Sequence, residues 1–258
     1  MSASRPEVLV SLSSFGAAEV RRRGQAWFAA LAAEAGADGV EVRGELLNEA
    51  QAELPAIAAL AAERGLSLVY SSPEGLWNGQ GALDEGALAR GLAAAQVLGA
   101  GRLKMAIGGY GRASAPSLPA LAQRLAEERV ELVIENDQTE AAGTLAALQA
   151  FFEQAGAAGL ALGMTFDMGN WHWTGEDPLQ AAAQCAPRVR YVHCKGVQRQ
   201  PGQWAAVPLA ASAAPWRAIL RGLPRQVPRA IEYPLQGDDL LAVTRQQLDL
   251  VRSAEACA

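Results

Sequence analysis

Histidine and lysine are nearly missing from this 258-residue chain: His172 and His193 are the only histidines, and of twenty-two basic residues only Lys104 and Lys195 are lysine. Arginine carries the rest of the positive charge, so a surviving Lys or His marks a position where a planar, permanently charged guanidinium will not serve. All four lie at or just beyond predicted strands. Cysteine is equally sparse. Cys185, Cys194 and Cys257 are odd in number and show no paired spacing, which excludes a disulfide framework and a cysteine zinc site and fits a reducing cytoplasm. No uninterrupted apolar run is long enough to span a bilayer, and residues 1–6 lack the apolar core of a signal peptide, so a soluble protein without membrane attachment is expected. Basic runs are absent beyond Arg21-Arg22-Arg23 at the start of an Ala-rich helix, and with a net charge of -5 nucleic acid is not an expected partner. No Gly-x-Gly-x-x-Gly opens the first helix, against a doubly wound dinucleotide fold.

What the chain does have is length and apolar content enough for one large core, and a regular alternation of strand-like and helix-like segments. Predicted strands cover residues 8–12, 39–43, 66–70, 102–106, 130–135, 161–167, 189–193 and 229–233. Predicted helices cover 17–35, 49–64, 83–98, 118–128, 139–155, 178–186, 214–220 and 238–253. Residues 72–79, 108–111 and 194–213 read as loops from their turn residues. No linker interrupts the series, so residues 1–258 are read as one domain. Eight such units in this length predict an α/β fold of the (β/α)8 TIM-barrel type.

Four of the strands end on metal-ligand residues: Glu135, Asp167, His193 and Glu232. Side chains alternate along a strand, and placing these four inward turns Leu132, Ile134, Met164, Phe166, Val192 and Ile231 outward against helices. The same phase sends Glu41, Arg43 and Lys104 into the lumen, where buried ion pairs are one explanation. Barrel active sites lie at the C-terminal strand ends, so the four side chains converge on one rim. Three carboxylates in one place repel unless a cation joins them; oxygen ligands with one imidazole suit Mn²⁺ or Mg²⁺, with Co²⁺ or Zn²⁺ also fitting.

Glu135-Asn136, Asp167 followed by Gly169-Asn170, His193-Cys194-Lys195 and Glu232 together resemble the xylose isomerase-like barrel superfamily, in particular its sugar phosphate isomerase/epimerase branch, over nearly the whole chain. The resemblance implies divalent-metal ligands at Glu135, Asp167, His193 and Glu232, and proton transfer next to a carbonyl through a cis-enediolate, with Glu135 and Glu232 as the catalytic pair. It also implies that Arg199 contacts substrate oxygens, as an arginine of ketose 3-epimerases does. Lys104 and Lys195 suit the same work or a phosphate. Two departures stand out. Ketose 3-epimerases carry a histidine where this chain has Asn170, the nearest one here being His172, and Gly196 replaces an acidic residue. Endonuclease IV relatives need several more histidines for their zinc cluster, so DNA repair is not expected. Trp77, Trp171, Trp173 and Trp204 fall in loops predicted on the catalytic face, where aromatic faces pack on sugar C–H surfaces. The expected activity is isomerisation or epimerisation of a small sugar, sugar phosphate or hydroxy-carbonyl compound. The alternatives are an inosose or keto-sugar dehydratase and a non-catalytic sugar-binding barrel. The sequence leaves room for a homo-oligomer.

Overall fold

The computed structural model describes residues 5–254. Parallel strands β1 Val8–Ser11, β2 Gly39–Arg43, β3 Ser67–Trp77, β4 Arg102–Gly108, β5 Glu131–Glu135, β6 Gly163–Asp167, β7 Val189–Cys194 and β10 Arg229–Ile231 form a closed barrel in the order β1-β10-β7-β6-β5-β4-β3-β2. Closure comes from β1 pairing with β10, Val10 opposite Ile231. Between strands lie α1 Ala17–Arg23, α2 Gln25–Glu34, α3 Ala50–Arg64, α4 Glu85–Leu98, α5 Leu118–Leu125, α6 Glu140–Gly143, α7 Leu145–Ala157, α8 Pro178–Cys185, α9 Trp216–Arg221 and α10 Leu240–Ser253. The helices start where short polar side chains can bond their free N–H groups. Asp84 accepts from Ala87 N, Thr144 from Ala147 N, Asp177 from Leu179 N and Asp239 from Ala242 N.

The period-two pattern sorts the core into two parts. Leu9, Val69, Tyr191 and Ala230 form a small buried cluster of inward positions that floors the lumen. Their outward neighbours, among them Val10, Leu132, Ile134, Met164, Phe166 and Val192, belong to the larger core between wall and helices. Above the apolar floor the next inward positions are Ser11, Glu41, Ser71, Glu135, Asp167, His193 and Glu232. The lumen therefore changes from apolar to ionic within one pleat, and this is what sets the site at the C-terminal rim.

Several predicted boundaries move. The helix expected over 17–35 breaks at Gly24, whose φ of 81° and N–H bond to Val20 O end α1 and restart the chain as α2. That over 139–155 breaks at Thr144, extended at φ -89° and ψ 150°, which caps α7. The loop expected over 72–79 is mostly strand: after a register shift between Ser71 and Gly75, β3 pairs on with β4 through Gly75 opposite Ala106 and Trp77 opposite Gly108. The loop expected over 194–213 contains a hairpin, β8 Gly196–Gln200 with β9 Gln203–Val207, antiparallel outside the barrel. Its turn is Pro201-Gly202, with Gly202 at φ 79°. Among the described residues no helix is long and apolar enough to cross a membrane.

Candidate active site

Glu135 and Asp167 close β5 and β6, His193 lies one residue before the end of β7, and Glu232 follows β10 directly. One ligand atom from each lies within 4.8 Å of the others. Local structure explains the aim of each. Asp167 Oδ1 accepts from Gly169 N at 2.8 Å and Asn170 N at 2.9 Å, which turns Oδ2 toward the lumen. Buried Asn136 holds that turn: its Nδ2 donates to Asp167 O at 3.0 Å, its Oδ1 accepts from Asp167 N at 2.8 Å, and its carbonyl accepts from Asn170 Nδ2 at 2.9 Å.

His193 is fully buried. Its Nε2 bonds Glu41 Oε2 at 2.7 Å, across the lumen from β2. Glu41 Oε1 in turn accepts from Ser11 Oγ at 3.1 Å and Arg43 Nη1 at 3.0 Å. Nδ1 is left facing the carboxylates, 2.8 Å from Glu135 Oε1, 2.9 Å from Glu232 Oε2 and 3.7 Å from Asp167 Oδ2. None of these contacts has hydrogen-bond geometry. Nδ1, Asp167 Oδ2 and Glu232 Oε2 are buried polar atoms without a hydrogen-bond partner, an expensive condition unless something else binds them. Three ligand atoms outside any hydrogen bond, one imidazole nitrogen and two carboxylate oxygens, converge with Glu135 beside them and fit a hard divalent cation. A ring whose second nitrogen is held by a carboxylate is the usual support for such a ligand.

Cations fill the remaining space. Lys104 Nζ binds Glu135 Oε2. Lys195 Nζ forms ion pairs with Asp167 Oδ2 at 2.6 Å and Glu232 Oε2 at 2.9 Å, and donates to Asn170 Oδ1 at 3.0 Å. Arg43 Nη1 meets Glu232 Oε1 at 2.6 Å, and its Nε meets Glu45 Oε1 at 2.9 Å. Burial works against every charge here, and the neighbours outweigh it for most. His193, Lys104 and Arg43 hold Glu41 down to about 2, and Lys104 with His193 holds Glu135 down to about 2. Glu232 is held well below the carboxylate range by His193 and Lys195. For Asp167 burial prevails over Lys195, and its carboxyl rises. Burial would lower the His193 imidazole, yet Glu232, Glu41 and Glu135 hold it well above its ordinary value. With carboxylates facing it the ring carries a proton; a divalent ion held at Nδ1 would take that proton's place.

The remaining expected contacts lie apart from this cluster or at its edge. His172, Trp173 and Arg199 line a cleft of about 540 Å³ with Thr174, Gly175, Glu176 and Trp204, on segments following β6 and β7. His172 stacks on Trp204 with ring centroids 4.7 Å apart, and the Arg199 guanidinium lies over the same indole. Trp77 is a correction. It is buried at the end of β3, donates from Nε1 to Ser117 Oγ at 2.9 Å and packs on Tyr110 and Phe151, so it offers no face to a ligand. Trp171 is likewise buried, against Phe166. Two contributors were not assigned to the site from sequence. Glu41 was legible only as an inward charge, and Asn136 only as part of a motif, because the partners of both arrive from other strands.

A family model described as xylose isomerase-like TIM barrel matches residues 29–253. Comparison with curated proteins finds no match. Among solved structures, the chain is similar to an L-ribulose 3-epimerase at 17% identity and a TM-score of 0.72, covering 98% of this chain and 95% of that one. It is similar to the D-allulose 3-epimerase of Methylomonas sp. in complex with D-allulose at 16% and 0.68, covering 98% of each chain. It is also similar to the probable 3-DHS dehydratase AsbF of Bacillus anthracis at 13% and 0.71, covering 95% of this chain and 98% of that one. At these identities the solved structures speak for the fold alone.

Proposed function

The chain belongs to the xylose isomerase-like TIM barrel family, and from that premise we propose that it is a divalent-metal-dependent isomerase or epimerase of a small sugar, sugar phosphate or hydroxy-carbonyl compound. One observation carries this reading: the convergence of Glu135, Asp167, His193 and Glu232 with three of their buried polar atoms outside any hydrogen bond. These four would hold Mn²⁺ or Mg²⁺. Such an ion supplies Lewis acidity, which acidifies the C–H beside a carbonyl and compensates enediolate charge. The protein's own part is proton transfer. Glu135 and Glu232 approach from β5 and β10, and their low-lying carboxyls are ionised at neutral pH, so either is able to accept the carbon-bound proton. The carboxyl that has taken the proton returns it to the adjacent carbon in isomerisation; in epimerisation it keeps that proton, and water delivers one to the opposite face through the partner glutamate. Asn136 and Glu41 hold the geometry; His172, Trp173, Asn170, Lys195 and Arg199 border the space above it and are the proposed substrate contacts. Cys185 is a free, buried thiol, which supports a cytoplasmic setting.

The dehydratase reading begins with the same proton abstraction and ends in loss of the neighbouring hydroxyl. It is favoured by Asn170 standing where 3-epimerases carry a histidine, and by the Lys195 ammonium at the rim as a donor to a leaving oxygen. Incubation of Mn²⁺-loaded protein with candidate hydroxy-carbonyl compounds in D₂O separates the readings. Deuterium beside the carbonyl with otherwise conserved mass indicates isomerisation or epimerisation; a product lighter by one water indicates elimination. Glu135→Gln and Glu232→Gln are each expected to lose on the order of 10²-fold or more in turnover. Full activity in both variants overturns the proton-transfer assignment, and binding without exchange leaves a sugar-binding barrel.

A further inference from the structure

We infer that the substrate of this site is anionic: a hydroxy-carbonyl compound that also carries a carboxylate or phosphate, held by Lys104 and Lys195. The inference rests on the metal reading above and narrows it to a substrate class. Its basis is competition for oxygen atoms. Lys195 Nζ sits on Asp167 Oδ2 and Glu232 Oε2, the two oxygens outside any hydrogen bond that a divalent ion would take. Lys104 sits on Glu135, the fourth member of the same group. Both side chains are largely shielded from water, at 4% and 10% exposed.

Charge within the cluster does not balance once a divalent ion binds. Glu135, Asp167 and Glu232 give three negative charges against the two of Lys104 and Lys195, and Glu41 is matched by Arg43 at 3.0 Å. Arg43 also meets Glu232, already counted, at 2.6 Å, and Glu45, which stands at the edge, where its side chain is 36% exposed and water screens it. Protonated His193 supplies the third positive charge of the ion-free cluster; a divalent ion beside neutral His193 replaces that one charge by two and leaves the inner balance at plus one. The oxygens that compensated the lysines are then committed, and the surplus is enclosed. A buried charge without a partner is costly; an anionic group on the substrate supplies the partner, whereas a neutral polyol does not. Lysine suits this task, because a compact ammonium with three donors follows a carboxylate or a phosphate without the fixed fork of arginine.

A positive surplus would also suit a neutral substrate that becomes an enediolate only during reaction, so the test uses ligands that cannot react. Mn²⁺-loaded protein is titrated calorimetrically with glycerol, glycerate and glycerol 1-phosphate, which share three carbons and differ in charge. At least one anion is expected to bind about tenfold or more tightly than glycerol, and the better of the two names the group. Lys104→Met and Lys195→Met are each expected to reduce that preference while Mn²⁺ is still taken up, and Lys195→Arg to retain part of it. Equal binding of all three ligands overturns the inference, as does a preference that survives both methionine variants. Should those variants fail to fold, the wild-type comparison alone decides. Absence of Mn²⁺ uptake overturns both this inference and the metal reading; uptake without charge preference overturns this inference alone.

Discussion

Glu41 reaches from β2 to a histidine on β7, three strands away round the wall by way of β1 and β10. By engaging Nε2 it decides which ring nitrogen is presented to the carboxylates. Glu41→Gln retains the shape but loses the charge that favours an Nε2–H and that balances Arg43. Mn²⁺ affinity is expected to fall about 10- to 100-fold, with the far-ultraviolet circular dichroism unchanged. Nitrogen NMR of ¹⁵N-histidine protein should show a change in the His193 tautomer signals in the same variant. Unchanged affinity and spectrum would reduce Glu41 to a counter-ion for Arg43. This residue also marks where sequence reasoning ends. The four strand-end ligands were visible because each closes its own apolar run, whereas the Glu41–His193 bond joins positions 152 residues apart and depends on the width of the lumen.

At the level of elements, the strand-helix alternation was legible almost throughout, since each strand carries an apolar run and many helices open on a capping side chain. The misjudged segments are those in which turn residues serve a sheet. β3 runs through Pro73 and Gly75, and it continues only because Gly75 and Gly108 pack backbone to backbone: a Cβ on Gly75 would meet Gly108 Cα at 2.8 Å, and one on Gly108 would meet Trp77 O at 2.3 Å. Gly108 also has φ 65°, a conformation that costs any other L-residue about 1–2 kcal/mol before sterics. Gly108→Ala is therefore expected to destabilise the protein by about 2–4 kcal/mol, read as a fall of roughly 5–15 °C in Tm. An unchanged melting curve would mean that the β3 extension peels away without cost. In the β8–β9 hairpin the strands have no barrel neighbour, and neither Gly-Val-Gln-Arg-Gln nor Gln-Trp-Ala-Ala-Val alternates apolar with polar residues, so no period-two pattern announced it.

For the molecule as a whole, Asp38 ties both ends of the described chain to the base of the barrel. Its carboxylate accepts from Val8 N at 2.9 Å and pairs with Arg5 at 2.7 Å and Arg252 at 3.1 Å. Burial pushes this carboxyl up, but Arg5, Val8 N and Arg252 prevail and hold it below its ordinary value. A depressed folded pKa adds stability above the unfolded pKa and loses it as pH falls through the folded one. Asp38→Asn is expected to cost about 1 kcal/mol at pH 7, a fall of roughly 2–4 °C in Tm. The gap to wild type should close below about pH 4; a gap independent of pH would assign the effect to packing. The opposite end of the barrel holds the site, and with it both lysines of the entire chain. An isotopic label carried in by lysine during biosynthesis thus reaches two positions, and both belong to the site. Protein grown on lysine labelled with ¹⁵N at Nζ would report on Lys104 and Lys195 alone, so its amine spectrum is a spectrum of the candidate site, free of the surface background that lysine gives elsewhere.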